Sequence, residues 1–253
     1  MPRIENDGHK IRYETAGSGP PLIMVAGITQ WADQWDENGY VDRLAATYRV
    51  ITADPLGHGE SDKPHEPDAY RWPRVVHDVI AVLDAESIER ALVWGYSMGG
   101  SIVRDVAHAR PDRVAAVVTG DAGPPARGHA SHPAFTPAIQ SEDGLRAMWE
   151  AFDTPPDAMA RGLAMNDVSA LKAMWEGIGV GGPSYDRVEV PILAYYASNR
   201  QLDPWSAVFL ANTGAVQHII PDSSHFSAFA RADDVLDVVE PFLALHADET
   251  ASS

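Results

Sequence analysis

Short apolar runs rich in Val, Ile, Leu and Tyr alternate along the chain with longer stretches whose apolar residues recur every three or four positions. The runs predict buried strands and the longer spacing predicts amphipathic helices. Strands are expected at Ile11 to Thr15, Leu22 to Ala26, Tyr48 to Ala53, Ala91 to Gly95, Val114 to Gly120, Pro191 to Ala197 and Val216 to Ile220. Continuous apolar runs of this kind belong to strands covered on both faces, as in a parallel sheet. Helices are expected at Trp72 to Ala85, where Val75, Val76, Val79, Ile80 and Leu83 share one face, at Met98 to Ala109 and at Ala232 to His246. The predicted fold class is α/β, with a doubly wound, mostly parallel sheet.

The rhythm breaks after Gly123. From Pro124 to about Asp186 strand character disappears, and connections rich in Pro and Gly lead into helical stretches near 144–152, 156–165 and 169–178. This predicts a core formed by 1–123 and 187–253, with 124–186 inserted as a small helical cap. Two pieces of the cap are alike, Leu145-Arg146-Ala147-Met148-Trp149-Glu150 and Leu171-Lys172-Ala173-Met174-Trp175-Glu176. Their apolar stripes suit packing on the core, and a helix that covers a pocket presents the same stripe to both, so Trp149 and Trp175 are candidate pocket residues. The tail from Ala247 is polar and expected to fray.

Composition narrows the function. The 253 residues are 45% hydrophobic and 22% charged, enough to bury a sizeable core. A formal charge of −17 repels phosphate backbones and anionic membranes, so neither nucleic acid nor membrane insertion is expected. The chain has no cysteine, which removes disulfides, thiolate nucleophiles and thiolate metal sites. The first residues lack the apolar segment of a secretory signal and no run approaches a membrane span, so a cytoplasmic location is expected. A homodimer is compatible with the sequence. No phosphate-binding loop, dinucleotide fingerprint or zinc-protease motif is present, and no cofactor is called for.

The chemistry is concentrated at Gly95-Tyr96-Ser97-Met98-Gly99, a G-x-S-x-G segment that follows a predicted strand and opens a predicted helix. A strand that turns straight into a helix exposes the serine hydroxyl in a strained conformation, and side chains at the flanking glycines would strike the crossing backbone. With this segment placed, the chain resembles an α/β-hydrolase over nearly its whole length. Asp54-Pro55-Leu56-Gly57-His58-Gly59-Glu60-Ser61 resembles that family's D-x-x-G-x-G-x-S loop, Ala26-Gly27-Ile28 stands at the place of its His-Gly-x loop, and Asp222-Ser223-Ser224-His225-Phe226 resembles the late loop carrying its histidine. His58 reads as a structural loop residue.

The resemblance implies a serine hydrolase. Ser97 attacks a carbonyl, His225 takes and returns the proton, and the backbone N–H groups of Ile28 and Met98 bind the oxyanion. An imidazole with an ordinary pKa of about 6.5 suits both proton steps. The acid departs from the family pattern: where a G-x-x-D turn is usual, this chain has Ala197-Ser198-Asn199-Arg200. Asp121, at the end of the strand after the nucleophile's helix, is the preferred acid, and Asp203 is the alternative. Trp31, Trp35 and Tyr96 are expected near the nucleophile, with Trp31 and Tyr96 contacting substrate. The implied substrate is a small apolar carboxylic ester or a related lactone, thioester or aryl amide. Carbon–carbon bond hydrolysis and perhydrolysis use the same geometry, and a ligand receptor on the same scaffold is the alternative outside enzymology.

Overall fold

A computed structural model describes residues 2–123, 135–178, 182, 185–202 and 204–251. Eight strands form one sheet: β1 (Arg3–Asn6), β2 (His9–Ala16), β3 (Pro21–Val25), β4 (Arg49–Ala53), β5 (Ala91–Tyr96), β6 (Val114–Gly120), β7 (Ile192–Ala197) and β8 (Val216–Ile220). Their order is β1-β2-β4-β3-β5-β6-β7-β8. The pairs from β4 through β8 are parallel, and β2 runs antiparallel to both β1 and β4.

The helices are α1 (Asp33–Glu37), α2 (Tyr40–Leu44), α3 (Arg74–Ala85), α4 (Met98–Ala109), α5 (Phe135–Ala138), α6 (Glu142–Ala151), α7 (Pro156–Met165), α8 (Val168–Ile178), α9 (Pro204–Thr213), α10 (His225–Ala230) and α11 (Ala232–His246). The inner strands are buried on both faces, and alternate residues feed two separate cores. Ile23, Val25, Ile51, Val93 and Val117 pack with α3 and α4, whereas Leu22, Met24, Leu92, Trp94 and Val118 pack with Trp35, Tyr40 and α11. Between β6 and β7 the described residues form helices α5 to α8. None of the helices among the described residues is long and apolar enough to cross a membrane.

Several sequence expectations are corrected. The strand β1 was not expected, because as a sheet edge it alternates exposed and half-buried residues and has no apolar run. Its signal lies in the turn: Asp7 and Gly8 have φ of 45° and 79°, the two-residue hairpin geometry that Asp-Gly favours. Helix α3 starts at Arg74 instead of Trp72, since Pro73 disfavours helical backbone in the residue before it. The tail forms a 3-10 turn at Ala247–Thr250.

The strand order places the site. The chain leaves β3 to form β4 on one side of it, then returns to form β5 on the other. A parallel sheet opens a crevice beyond the carboxyl ends of its strands at such a reversal. The loops after β3 and β5, which carry Gly27 and Ser97, both emerge there.

Candidate active site

Ser97 lies between the last residue of β5 and the first of α4, with φ of 52° and ψ of −115°. Its backbone N–H donates to the Gly120 carbonyl at 2.7 Å, which ties the bend to the end of β6. The neighbouring glycines are required by space. A Cβ on Gly95 would lie 2.2 Å from the Gly99 carbonyl, and one on Gly99 would lie 2.2 Å from the Val25 carbonyl oxygen. The strained serine is therefore held by β3, β5 and β6 together.

The loop after β3 lies against this bend. A Cβ on Gly27 would fall 3.1 Å from the Ser97 Cβ and 3.0 Å from the Tyr96 carbonyl oxygen. The Gly27 N–H donates to the Gln30 side chain at 2.9 Å. Further along, the Ala32 N–H donates to buried Asp54 at 2.6 Å, and the other carboxylate oxygen of Asp54 accepts from the Glu60 N–H at 2.9 Å. The D-x-x-G-x-G-x-S segment thus anchors the loop that carries Ile28. His58 in that segment is fully buried and away from the cleft; burial pushes its pKa down to about 4, so it stays neutral.

Thr29 takes φ of 63°, and residues on α6 and at the end of α7 hold it: the Trp149 indole donates to its hydroxyl at 3.1 Å and Asn166 donates to its carbonyl at 2.8 Å. Gly162 leaves room for the Trp149 ring, because a Cβ there would lie 2.8 Å from it. Helices α6 and α7 are in this way fastened to the loop beside Ser97.

His225 is the first residue of α10 and does not sit in a loop as expected. Ser224 and Ser227 form a reciprocal cap there, so the helix start fixes the imidazole. The His225 Nδ1 lies 2.6 Å from Asp121 Oδ2, and the Asp121 side chain is 1% exposed. Asp121 directly follows β6 with φ of 41°. Asp203, the alternative acid, lies outside the described residues.

Ser97 and His225 line one cleft with Ile28, Thr29, Gln30, Trp31, Gln34 and residues of α6 and α7. The cleft holds about 550 Å³ of space free of protein atoms, part of it open to solvent. Phe152 closes one side, its ring 4.8 Å from that of His225. Among the described residues no cluster of three or more His, Asp or Glu side chains is placed to hold a metal.

The sequence profile of the alpha/beta hydrolase fold family matches residues 20–154. The chain belongs to that family. It is similar to a non-heme chloroperoxidase of Streptomyces lividans, 39% identical over 126 residues that make up 47% of this chain and 44% of that protein. The matched stretch covers less than half the length of the curated relatives, 33% in the case of uncharacterized mycobacterial proteins. Solved structures with the same fold include the bottromycin epimerase BotH, with TM-score 0.81, 24% identity and coverage of 95% of this chain and 98% of that one. An enol-lactonase from Burkholderia xenovorans LB400 gives TM-score 0.79, 22% identity and coverage of 96% of this chain and 100% of that one.

Within this α/β hydrolase the aromatic candidates separate. Trp31 and Trp149 line the cleft. Tyr96 also borders it, but is 1% exposed and its hydroxyl donates to the His225 carbonyl at 2.5 Å, so it supports the imidazole more directly than it could grip a substrate. Burial, with the Asp121 charge nearby, pushes the Tyr96 phenol well above its ordinary value and keeps it a donor. Trp175 is not among the described cleft residues; it packs half-buried against the apolar core. Trp35 is fully buried against Tyr40, Trp94 and Phe229. Gln34, Phe152, Asn166 and Arg200 were not anticipated. They touch the site from elements whose local patterns carry no catalytic signature.

Proposed function

We propose that this hydrolase cleaves a small, fairly apolar carboxylic ester or lactone through an acyl-enzyme on Ser97. The reading rests most on one observation: an imidazole bonded through Nδ1 to a buried carboxylate lines the same cleft as a serine held on a strained strand-to-helix bend. In this reading Asp121 fixes the ring so that its Nε2 is free to accept the Ser97 proton. Ser97 Oγ bonds to the carbonyl carbon, and the Ile28 and Met98 N–H groups bind the oxyanion. The imidazolium then protonates the departing alkoxide, and water attacks the acyl-serine with His225 as base. The segment 124–186 acts as a lid, with α6 and α7 forming the apolar wall against which the acyl or alcohol portion lies.

Chemistry favours an acyl substrate over the epoxides handled by some structurally similar proteins. Epoxide opening by a serine hydroxyl would leave an ether, which the imidazole and water cannot readily hydrolyse, whereas an acyl-serine is an ester and turns over. Hydrogen peroxide can replace water in the last step and yield a peracid. The similarity to a protein named as a chloroperoxidase makes that outcome worth measuring.

The test is labelling with a fluorophosphonate together with hydrolysis of p-nitrophenyl acetate and butyrate. Prompt labelling that disappears in Ser97→Ala, with loss of ester turnover in the same variant, is the expected result. A folded wild-type protein that neither labels nor hydrolyses these esters would instead favour a ligand receptor.

A further inference from the structure

The loop after β7 carries no acid in its described residues, yet it bonds both to the turn before His225 and to Asp121. Ser198 and Ser223 exchange hydrogen bonds, with the Ser223 N–H donating to the Ser198 hydroxyl at 2.9 Å and the Ser198 N–H donating to the Ser223 hydroxyl at 3.2 Å. The Asn199 N–H also donates to the Ser223 carbonyl, at 3.3 Å. These contacts hold the turn that leads into His225. Arg200, at the next position, reaches the other way. Its Nη1 donates to the Asp121 backbone carbonyl at 3.2 Å and lies 3.6 Å from Asp121 Oδ1.

That oxygen is buried and has no hydrogen-bond partner among the described residues. A carboxylate removed from water needs an opposite charge, and it has one in His225 only while the ring is protonated. A ring that is to accept the serine proton must start neutral. In that state, among the described residues, Arg200 is the cation left beside Asp121.

We infer that Arg200 is a positioning residue for the reaction proposed above: it braces Asp121 in its left-handed backbone conformation and, by compensating the buried carboxylate, supports His225 as the base. The proposal rests on the acyl-transfer reading for its catalytic consequence. The other titratable groups facing the pair are the phenols of Tyr96 on β5 and Tyr195 on β7, both pushed up chiefly by burial, so they carry no charge in the working pH range. Asp203, farther along the same loop, lies outside the described residues.

The sign follows from charge. Removing the guanidinium makes the surroundings of the imidazole more negative, so the ring holds its proton to higher pH and the acid limb of activity moves upward. One unit charge lost from beside a partly exposed ion pair moves such a limb by about half a unit to one unit.

The experiment compares Arg200→Gln and Arg200→Lys with the wild type in the full chain. It uses the pH profile of kcat/KM on p-nitrophenyl butyrate and a parallel NMR titration of the His225 ring nitrogens. For Arg200→Gln the expected results are an acid limb and a ring titration both displaced upward by about half a unit to one unit, kcat/KM at pH 7 lowered about tenfold, of which the displacement supplies about twofold to threefold and the lost brace on Asp121 the rest, and KM changed less than about twofold. Arg200→Lys, which keeps the charge, should restore most of the displacement. Superimposable ring titrations in Arg200→Gln and wild type, with both proteins folded, would overturn the proposal even if Ser97 proves catalytic. If instead Ser97→Ala retains full turnover, the acyl-transfer reading fails, while the NMR titration still decides the effect of Arg200 on His225.

Discussion

The loops after β6 and β7 lie side by side and end in opposite charges. One presents Asp121 to His225 at 2.6 Å; the other presents Arg200, which reaches Asp121 at 3.6 Å. Adjacent parallel strands are only about 4.8 Å apart, so a carboxylate at the end of either can reach an imidazole arriving from a third loop. The contrast teaches that this fold constrains where the charge must be delivered more tightly than which strand delivers it. Once Asp121 occupies the first loop, the second is free to supply the compensating cation.

The largest effect should come from breaking the first loop. Asp121→Asn is expected to lower kcat on a short-chain aryl ester by about 10³–10⁴ with folding intact, whereas Asp203→Asn should stay within about threefold. The reverse ranking in steady-state kinetics would move the acid to the β7 loop.

A second buried carboxylate, Asp105, sharpens the comparison: among the described residues its hydrogen-bond donor is a phenol, and the nearby Arg104 charge does not offset its burial. Asp105 accepts from the Tyr185 hydroxyl at 2.5 Å, and burial pushes its pKa up to about 6. Its folded value lies above its unfolded value, so the unfolded chain releases this proton first as pH rises. Stability from this group is therefore lost between about pH 4 and pH 6, by up to about 3 kcal/mol. In urea unfolding over that range, stability should rise more, or fall less, with pH in Asp105→Asn than in the wild type; identical slopes would mean that Asp105 does not titrate there.

The coupling between the two loops is the next effect in size. Arg200→Gln costs about tenfold in kcat/KM in the wild type if it works through Asp121. In the Asp121→Asn background the same change should cost less than about twofold. Additive losses would show that Arg200 acts elsewhere.

The smallest effect concerns a third loop, the one after β3, which is braced from α6. Trp149→Phe deletes the indole donor to Thr29 while keeping most of the ring, and should lower kcat about threefold to tenfold with stability changed by only about 1 kcal/mol. An unchanged kcat would show that α6 does not set the geometry of that loop.

How much of this was legible in the sequence depends on the kind of signal. Leu22-Ile23-Met24-Val25 and Val114 to Val118 are apolar without a break, because strands covered on both sides leave little room for polar side chains, and such runs locate the sheet. The edge strand β1 lacks that signal and only its Asp-Gly turn marks it. Gly95 and Gly99 were readable because a strand-to-helix bend leaves no space for side chains at those positions. The two cap pieces show the limit. Trp149 and Trp175 sit in nearly the same local sequence, yet Trp149 reaches Thr29 and the cleft while Trp175 packs on the core. Periodicity defines the apolar face of a helix but not what that face meets. Arg200 was visible only as a missing acid, since its contact with Asp121 crosses between strands and depends on the register of β6 against β7.

The central claim is that Ser97 carries the acyl group during turnover. Mass spectrometry of peptides from protein quenched during reaction with p-nitrophenyl butyrate tests it directly. The account predicts a butyryl adduct on the Ser97 peptide that accumulates with the p-nitrophenol burst and is absent from Ser97→Ala. Sustained ester turnover by the Ser97→Ala protein, or an adduct that forms during turnover on another residue, would contradict it.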